Sequence, residues 1–373
     1  MLRIQKDTSV ANESLFSPVN LGTHELPNRI VMAPMTRLRA PGSMPNALMA
    51  QYYAQRASAG LIVTECVMVS DTSAAYMNAP GIYADEFIEG WRLVTDAVHE
   101  AGGKIFIQLW HSGRVAHVSL MPGGQAPLAP SEISGVGELH TPTGKHPMSM
   151  PRAITADEIR GLTKAFGKAA ERARRAGFDG VEIHGAFGYL IDQFLRDGSN
   201  KRVDLYGGSL ENRARFLLGV ITAVQQSFGQ DVGVKLSPAS RAHGMSDSRT
   251  EGTFAEVLGL LNEADLAYVH MMEPLQGDEI PSLLLSDTVA FARRHYSGTL
   301  IANGGFSPTS ADTLVTEGGA DLVSFGQAFL ANPDLPARIR SGAQLAFPDF
   351  SKVYGIPGQP MEDGYTNYPS LGA

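Results

Sequence analysis

The run TADEIRGLTKAFGKAAERARRAGFDGVEIHGAFGYL, residues 155–190, decides the fold. Thr155-Ala-Asp-Glu158 is a capping box, whose two end side chains reciprocally satisfy backbone N–H groups at a helix start. Ile159, Leu162, Phe166, Ala169, Ala170 and Ala173 then recur at helical spacing, and Gly177 supplies the stop. Gly180–Gly185 follows as a short strand. A helix feeding a short buried strand is the repeating unit of parallel βα architecture.

The same alternation extends outward in both directions. Strands are expected at Arg29–Pro34, Leu61–Cys66, Lys104–Trp110, Val232–Leu236, Leu266–Met271, Thr299–Asn303 and Asp321–Phe325, besides Gly180–Gly185. Several are almost continuous in apolar residues, as strands covered on both faces should be. Helices are expected over Glu211–Gln225, Pro308–Thr316 and Pro333–Ile339; a proline suits a helix's first turn. Eight such strands predict an α/β fold, a single (β/α)8 TIM barrel over residues 15–373 behind a polar tail at 1–14. Phe16–Asn28 reads as a hairpin around Gly22 that plugs the barrel bottom. Residues 114–152 are Pro/Gly-rich and weakly periodic, which predicts a capping loop after strand three.

With 43% apolar and 18% charged residues, the 373-residue chain has the composition of a folded globule with a sizeable core. A net charge of -8 argues against a nucleic-acid partner. The single cysteine, Cys66, can form no internal disulfide and fits a cytoplasmic setting. The first residues hold no long apolar run, so neither a signal peptide nor a membrane association is expected. His111, His117, His140 and His146 show no metal-ligand spacing, so no metal is expected.

A barrel of this kind places chemistry at the C-terminal ends of its strands. There the sequence reads Ala33-Pro34-Met35-Thr36, then Gln108-Leu-Trp110, then His184-Gly-Ala-Phe187-Gly-Tyr189. Later come Asn303-Gly304-Gly305, Phe325-Gly326-Gln327, and a tail with Gly364-Tyr365-Thr366-Asn367-Tyr368-Pro369. Each motif alone is weak. Together, in this order, they resemble the Old Yellow Enzyme family, near its N-ethylmaleimide and xenobiotic reductases, over roughly residues 15–369.

The resemblance implies non-covalent FMN, NADPH or NADH as hydride donor, and reduction of activated alkenes such as enones, enals, maleimides and nitro compounds by a ping-pong hydride transfer. It implies that Ala33, Pro34, Met35, Thr36, Cys66, Gln108, Lys235, Asn303, Gly304, Gly305, Phe325, Gly326 and Gln327 hold FMN. His184 would bind the substrate oxygen and Tyr189 would donate the proton, with Phe187, Trp110, Tyr76 and Tyr354 lining the substrate site. The residue types suit these parts. Gln108 offers both a donor and an acceptor, and the Gly304-Gly305 and Gly326-Gln327 turns offer bare backbone N–H groups to a phosphate.

Three positions depart from the family pattern. Phe187 stands where Asn or His usually gives a second hydrogen bond, a loss worth roughly 2.7–4 kcal/mol when such a donor is removed. Lys235 replaces an arginine and loses its planar fork. Gln327 replaces another arginine, which predicts weaker FMN retention. Trp110 and Phe187 each admit either core packing or pocket lining, and Cys66 reads as a small buried hydrophobe that lies beside the flavin. Two other functions share these motifs: a flavin-binding protein with little turnover, and a flavin-dependent isomerase. A monomer and a homo-oligomer are equally compatible.

Overall fold

Side chains along a strand point alternately to its two faces, and in a closed barrel the two sets face the lumen and the surrounding helices. The computed structural model describes residues 12–275, 283–355 and 358–372, so the expected tail at 1–14 lies outside them up to residue 11. The chain opens with an antiparallel hairpin, β1 (Val19–Leu21) and β2 (His24–Leu26), turning through Gly22 at φ +54°. It continues through β3 (Ile30–Met32), α1 (Ala47–Ala54), β4 (Leu61–Met68), α2 (Phe87–Glu100) and β5 (Ile105–Trp110). A cap follows, with β6 (Leu128–Ala129), β7 (Glu138–Thr141), β8 (Gly144–Pro147) and β9 (Arg152–Ala153). Next come α3 (Ala156–Arg175), β10 (Gly180–His184), α4 (Leu190–Leu195), α5 (Leu210–Phe228), β11 (Val232–Leu236), α6 (Thr250–Leu261) and β12 (Tyr268–Met272). The last elements are α7 (Thr288–His295), β13 (Leu300–Asn303), α8 (Pro308–Thr316), β14 (Leu322–Phe325), α9 (Gln327–Ala331) and α10 (Leu335–Ser341).

Strands β3, β4, β5 and β10 to β14 close a parallel eight-stranded barrel, with β14 pairing back onto β3. This is the expected (β/α)8 fold. The lumen is layered. Its floor is apolar: Val31, Leu61, Val63, Phe106, Tyr268, Ile301 and Leu322 pack with Leu21 and Leu26 of the hairpin. The hairpin is the bottom plug, and Thr23 fastens it by donating its N–H and hydroxyl to the Asp231 carboxylate at 2.8 and 2.6 Å. Glycine makes room for the aromatic floor. A Cβ at Gly180 would sit 2.2 Å from the Phe106 ring, and one at Gly233 2.3 Å from the Tyr268 ring. Above the floor the inward residues turn polar, with Gln108, Glu182, His270 and Ser324 all buried.

Three local expectations differ from the structure. β4 runs on to Met68 rather than stopping at Cys66, because its pairing with β5 shifts register between Val63 and Cys66. Such a bulge re-aims the side chains beyond it. Residues 114–152 contain a hairpin, β7–β8, rather than loop alone. Its short polar strands carry little periodic signal. The helix expected from Pro333 begins at Leu335, with a separate α9 before it. The Asn332 side chain folds back onto the Ala328 carbonyl at 2.8 Å and ends α9, and Pro336 then serves the first turn of α10. Among the described residues no helix is long and apolar enough to cross a membrane.

Candidate functional site

A cavity opens at the C-terminal mouth of the barrel, lined by Pro34, Thr36, Cys66, Gln108, His184, Phe187, Tyr189 and Lys235. These side chains come from the ends of β3, β4, β5, β10 and β11 and from the turn after β10. Segments about 200 residues apart thus meet at one opening, as the sequence reading expects.

The turn after β10 is the most constrained part of the site. Phe187 and Gly188 both adopt left-handed backbone, at φ +54° and +73°. Gly188 is required there, since a Cβ would lie 2.8 Å from the Ala242 carbonyl oxygen. Phe187 takes that conformation at a cost of roughly 1–2 kcal/mol. Three hydrogen bonds hold the turn: the Phe187 N–H to Ser237 Oγ at 2.8 Å, the Gly188 N–H to Asp192 Oδ2 at 2.9 Å, and Gln193 Nε2 to the Gly188 carbonyl at 2.7 Å. Asp192 is itself paired with Arg196 at 2.7 Å, both fully buried. The result delivers Tyr189 to the start of α4 and Phe187 to the cavity wall, where Phe187 also packs against the cluster around Trp110.

His184 is 6% exposed, and its Nδ1 accepts the Ala186 N–H at 3.2 Å. The proton of the neutral ring therefore sits on Nε2. Burial, reinforced by the charge on Lys235, pulls the His184 pKa down to about 3, so the imidazole stays neutral at ordinary pH. The Tyr189 ring stands nearly perpendicular to it, 5.0 Å between centroids. Burial foremost, with the neighbouring Tyr76, raises the phenol of Tyr189 well above its usual pKa. Its Oη lies 2.8 Å from Tyr76 Oη.

The polar layer beneath fixes the cavity floor. Glu182, fully buried, accepts from Gln108 Nε2 at 2.7 Å and Tyr268 Oη at 3.0 Å, and lies 2.7 Å from His270 Nδ1. His270 Nε2 lies 2.8 Å from Ser324 Oγ. Burial would raise the Glu182 pKa, but His270, Lys235 and Gln108 outweigh it and hold it at about 2. Because its Nε2 is tied to Glu182, Gln108 keeps its carbonyl oxygen free as an acceptor. Lys235 donates to Asn303 Oδ1 at 3.1 Å and faces the Phe187 ring at 6.0 Å. Burial lowers its pKa to about 8. Thr36 Oγ1 is 3.3 Å from Cys66 Sγ, whose thiol burial pushes up to about 12.

The other expected residues fall into three groups. Ala33 and Met35 flank the lining pair Pro34 and Thr36, and Met35 Sδ lies 3.5 Å from a Cβ placed on Gly326. Phe325 turns its ring outward into the helix–strand core, because strand alternation gives the lumen to Ser324. Trp110 is fully buried behind the two phenols, stacked on Tyr76 at 6.0 Å and edge-on to Tyr189 at 5.2 Å. Trp110, Tyr76 and Tyr354 are not among the residues that line the cavity, and Tyr354 is 55% exposed on the tail segment. Glu182, Tyr268, His270 and Ser324 were not picked out by motif, although polar residues at alternate positions of buried strands mark a lumen layer.

A cofactor with a planar polar edge and a phosphate fits these groups. Thr36, Gln108 and Lys235 present hydroxyl, carbonyl and ammonium to the cavity. Gly304 sits at φ +120°, where a Cβ would meet Glu273 Cβ at 2.8 Å, while Gly305 has open space on its Cβ side. α9 begins at Gln327 with no side-chain cap, leaving its first N–H groups free of one.

Comparison with known proteins agrees with this fold. The model of the NADH:flavin oxidoreductase / NADH oxidase family matches residues 14–346. The chain is 40% identical to 12-oxophytodienoate reductase 2 of Arabidopsis thaliana, covering 96% of each chain. It superposes on the solved structure of morphinone reductase with a TM-score of 0.91 at 44% identity, over 98% of each chain. It superposes on the old yellow enzyme homologue from Zymomonas mobilis with a TM-score of 0.89 at 40% identity, over 95% of this chain and 99% of that one.

Proposed function

The chain belongs to the NADH:flavin oxidoreductase / NADH oxidase family, the family of the Old Yellow Enzymes, and on that premise we propose that it reduces the C=C bond of enones, enals, maleimides and nitroalkenes in two half-reactions that share one cavity. The observation that carries this reading is the convergence of a neutral imidazole and a protonated phenol, His184 and Tyr189, on the cavity that also presents Thr36, Gln108 and Lys235. FMN, when bound, supplies the hydride chemistry that links nicotinamide to alkene.

The chain's own residues do the rest. Thr36, Gln108 and Lys235, the last steadied by Asn303, hold the polar edge of the flavin ring. The glycine turns after β13 and β14 hold the phosphate, with Gln327 supplying no cation. His184 Nε2–H donates to the carbonyl or nitro oxygen of the alkene and draws charge from its β-carbon. Tyr189 Oη–H gives a proton to the α-carbon. A positioned proton donor at that carbon favours net reduction over isomerisation. Anaerobic absorbance tests the whole: the yellow protein bleaches with NAD(P)H and regains its colour on addition of 2-cyclohexenone. Bleaching without recovery on any activated alkene overturns the reading in favour of a flavin binder with little turnover.

Two predictions arise here. Phe187→Asn adds a donor beside His184 and replaces a phenylalanine with a residue that tolerates left-handed backbone. Reduction of simple cyclic enones should rise by up to about tenfold, part of what such a donor contributes, with no loss of thermal stability. Unchanged steady-state rates across several enones would contradict it. Separately, the free protein loses the Lys235 cation as pH rises through about 8. FMN, which favours the charged form, should therefore bind more weakly at high pH, by roughly tenfold between pH 7 and 9.5. Lys235→Arg, charged throughout, should flatten that dependence in a fluorescence titration.

A further inference from the structure

We infer that Tyr76 is the positioning residue through which Tyr189 is oriented, relieved of charge and re-protonated; this rests on the ene-reductase reading. Among the described residues, Tyr76 Oη is the one hydrogen-bond partner of Tyr189 Oη, at 2.8 Å. The two side chains come from segments 113 residues apart, so only the closed barrel brings them together. One indole fixes both: Trp110 is fully buried, stacked within 5° of parallel on Tyr76 and edge-on to Tyr189. Neither phenol can swing away without breaking that packing. Tyr189 is 8% exposed, whereas Tyr76 keeps more of its surface in solvent and so lies one step nearer the water.

The need for such a partner follows from the proton step. As the substrate's α-carbon takes the proton, the C–H bond forms, the Tyr189 O–H bond breaks, and its electron pair stays on the phenol oxygen. The rings of Trp110, His184 and His243 stand 5.2, 5.0 and 5.8 Å from the Tyr189 ring, Cys66 packs in the same cluster, and among the described residues no cation is paired with the phenol. A buried anion without a donor is costly. The Tyr76 O–H donates to it, then passes its proton across, and recovers one from water. The balance per turnover is one hydride from the nicotinamide and one proton from solvent, delivered by way of two phenols.

The test is Tyr76→Phe, alone and combined with Tyr189→Phe, by anaerobic stopped flow with NADPH and 2-cyclohexenone. In Tyr76→Phe, bleaching by NADPH should stay within twofold of wild type while recovery with the enone slows about tenfold or more, the scale of a general-acid contribution. In the Tyr189→Phe background, adding Tyr76→Phe should change recovery by less than twofold, because the second residue acts only through the first. Rate losses that multiply in the double variant, or an unchanged recovery in Tyr76→Phe, would overturn the inference. Tyr76→His, which keeps a ring donor, should restore part of the rate; a role in packing alone predicts no such rescue. Failure of the wild-type protein to recover colour on any alkene is a separate outcome that removes the ene-reductase reading, and the inference with it.

Discussion

Tyr189→Phe should leave the flavin reducible by NAD(P)H at close to the wild-type rate and slow its reoxidation by alkene about 10²–10⁴-fold. The substitution removes one oxygen from a ring that is otherwise held in place. The edge-on contacts with Trp110 and His184 depend on the ring, not the hydroxyl. The left-handed turn at Phe187-Gly188 that delivers residue 189 is fixed by its backbone hydrogen bonds to Ser237 and Asp192. The lost hydrogen bond to Tyr76 costs at most about 1.5 kcal/mol, since Tyr76 is partly exposed and its O–H can rotate toward water while the ring stays in place. A folded protein with a fast first half-reaction and a slow second is therefore expected. Stopped-flow traces of each half-reaction measure the two rates, and equal slowing of both, or slowing of neither, would be inconsistent with a proton-donor role.

The second large effect is on stability. Glu182→Ala should lower the free energy of unfolding by about 3–5 kcal/mol, the range for breaking a buried charged network from one side. Gln108, Tyr268 and His270 would all lose their shared partner, in a layer whose side chains are buried. Lys235 would lose the carboxylate that helps keep it charged. A chain of this size should then melt roughly 5–15 °C lower. Glu182→Gln should fall between wild type and the alanine variant, because one amide oxygen can still accept. FMN should bind more weakly in both variants, since Gln108 is no longer held with its carbonyl toward the cavity. Thermal melts of the three proteins check the order, and a Glu182→Ala protein as stable as wild type would show that the layer contributes little.

Much of this was legible in the chain because local chemistry and tertiary context agree. Val232–Leu236 and Pro308–Thr316 fall where their patterning puts them. The capping box at Thr155 and the left-handed Gly177 bound α3 as expected. The strand-end motifs meet at one cavity because a parallel barrel has only one functional face; Pro34, Thr36, Gln108, His184, Phe187 and Tyr189 from those motifs line it, together with Cys66 and Lys235. Other features depend on what the chain meets after folding. The bulge in β4 looks like a strand end, since Thr64 and Glu65 interrupt the apolar run; in the fold Glu65 is buried and accepts the Arg37 and Leu38 N–H groups. Arg37 and Arg39 are both buried, bonded to the carbonyls of Val353 and the tail beyond it, partners that lie far along the chain and leave no local pattern. The resemblance names Tyr76 only as a residue of the substrate site; its 2.8 Å contact with Tyr189, from another strand's loop, has no local signature. Phe325 was assigned by its motif, and strand alternation sends its ring the other way.

The most direct test is a crystal structure of the protein with FMN. The flavin ring should lie at the barrel mouth with its polar edge against Thr36, Gln108 and Lys235 and its phosphate on the glycine turns, while His184 and Tyr189 stand over one face of the ring. An empty mouth, or a bound flavin with those two side chains directed away from it, would contradict the assignment.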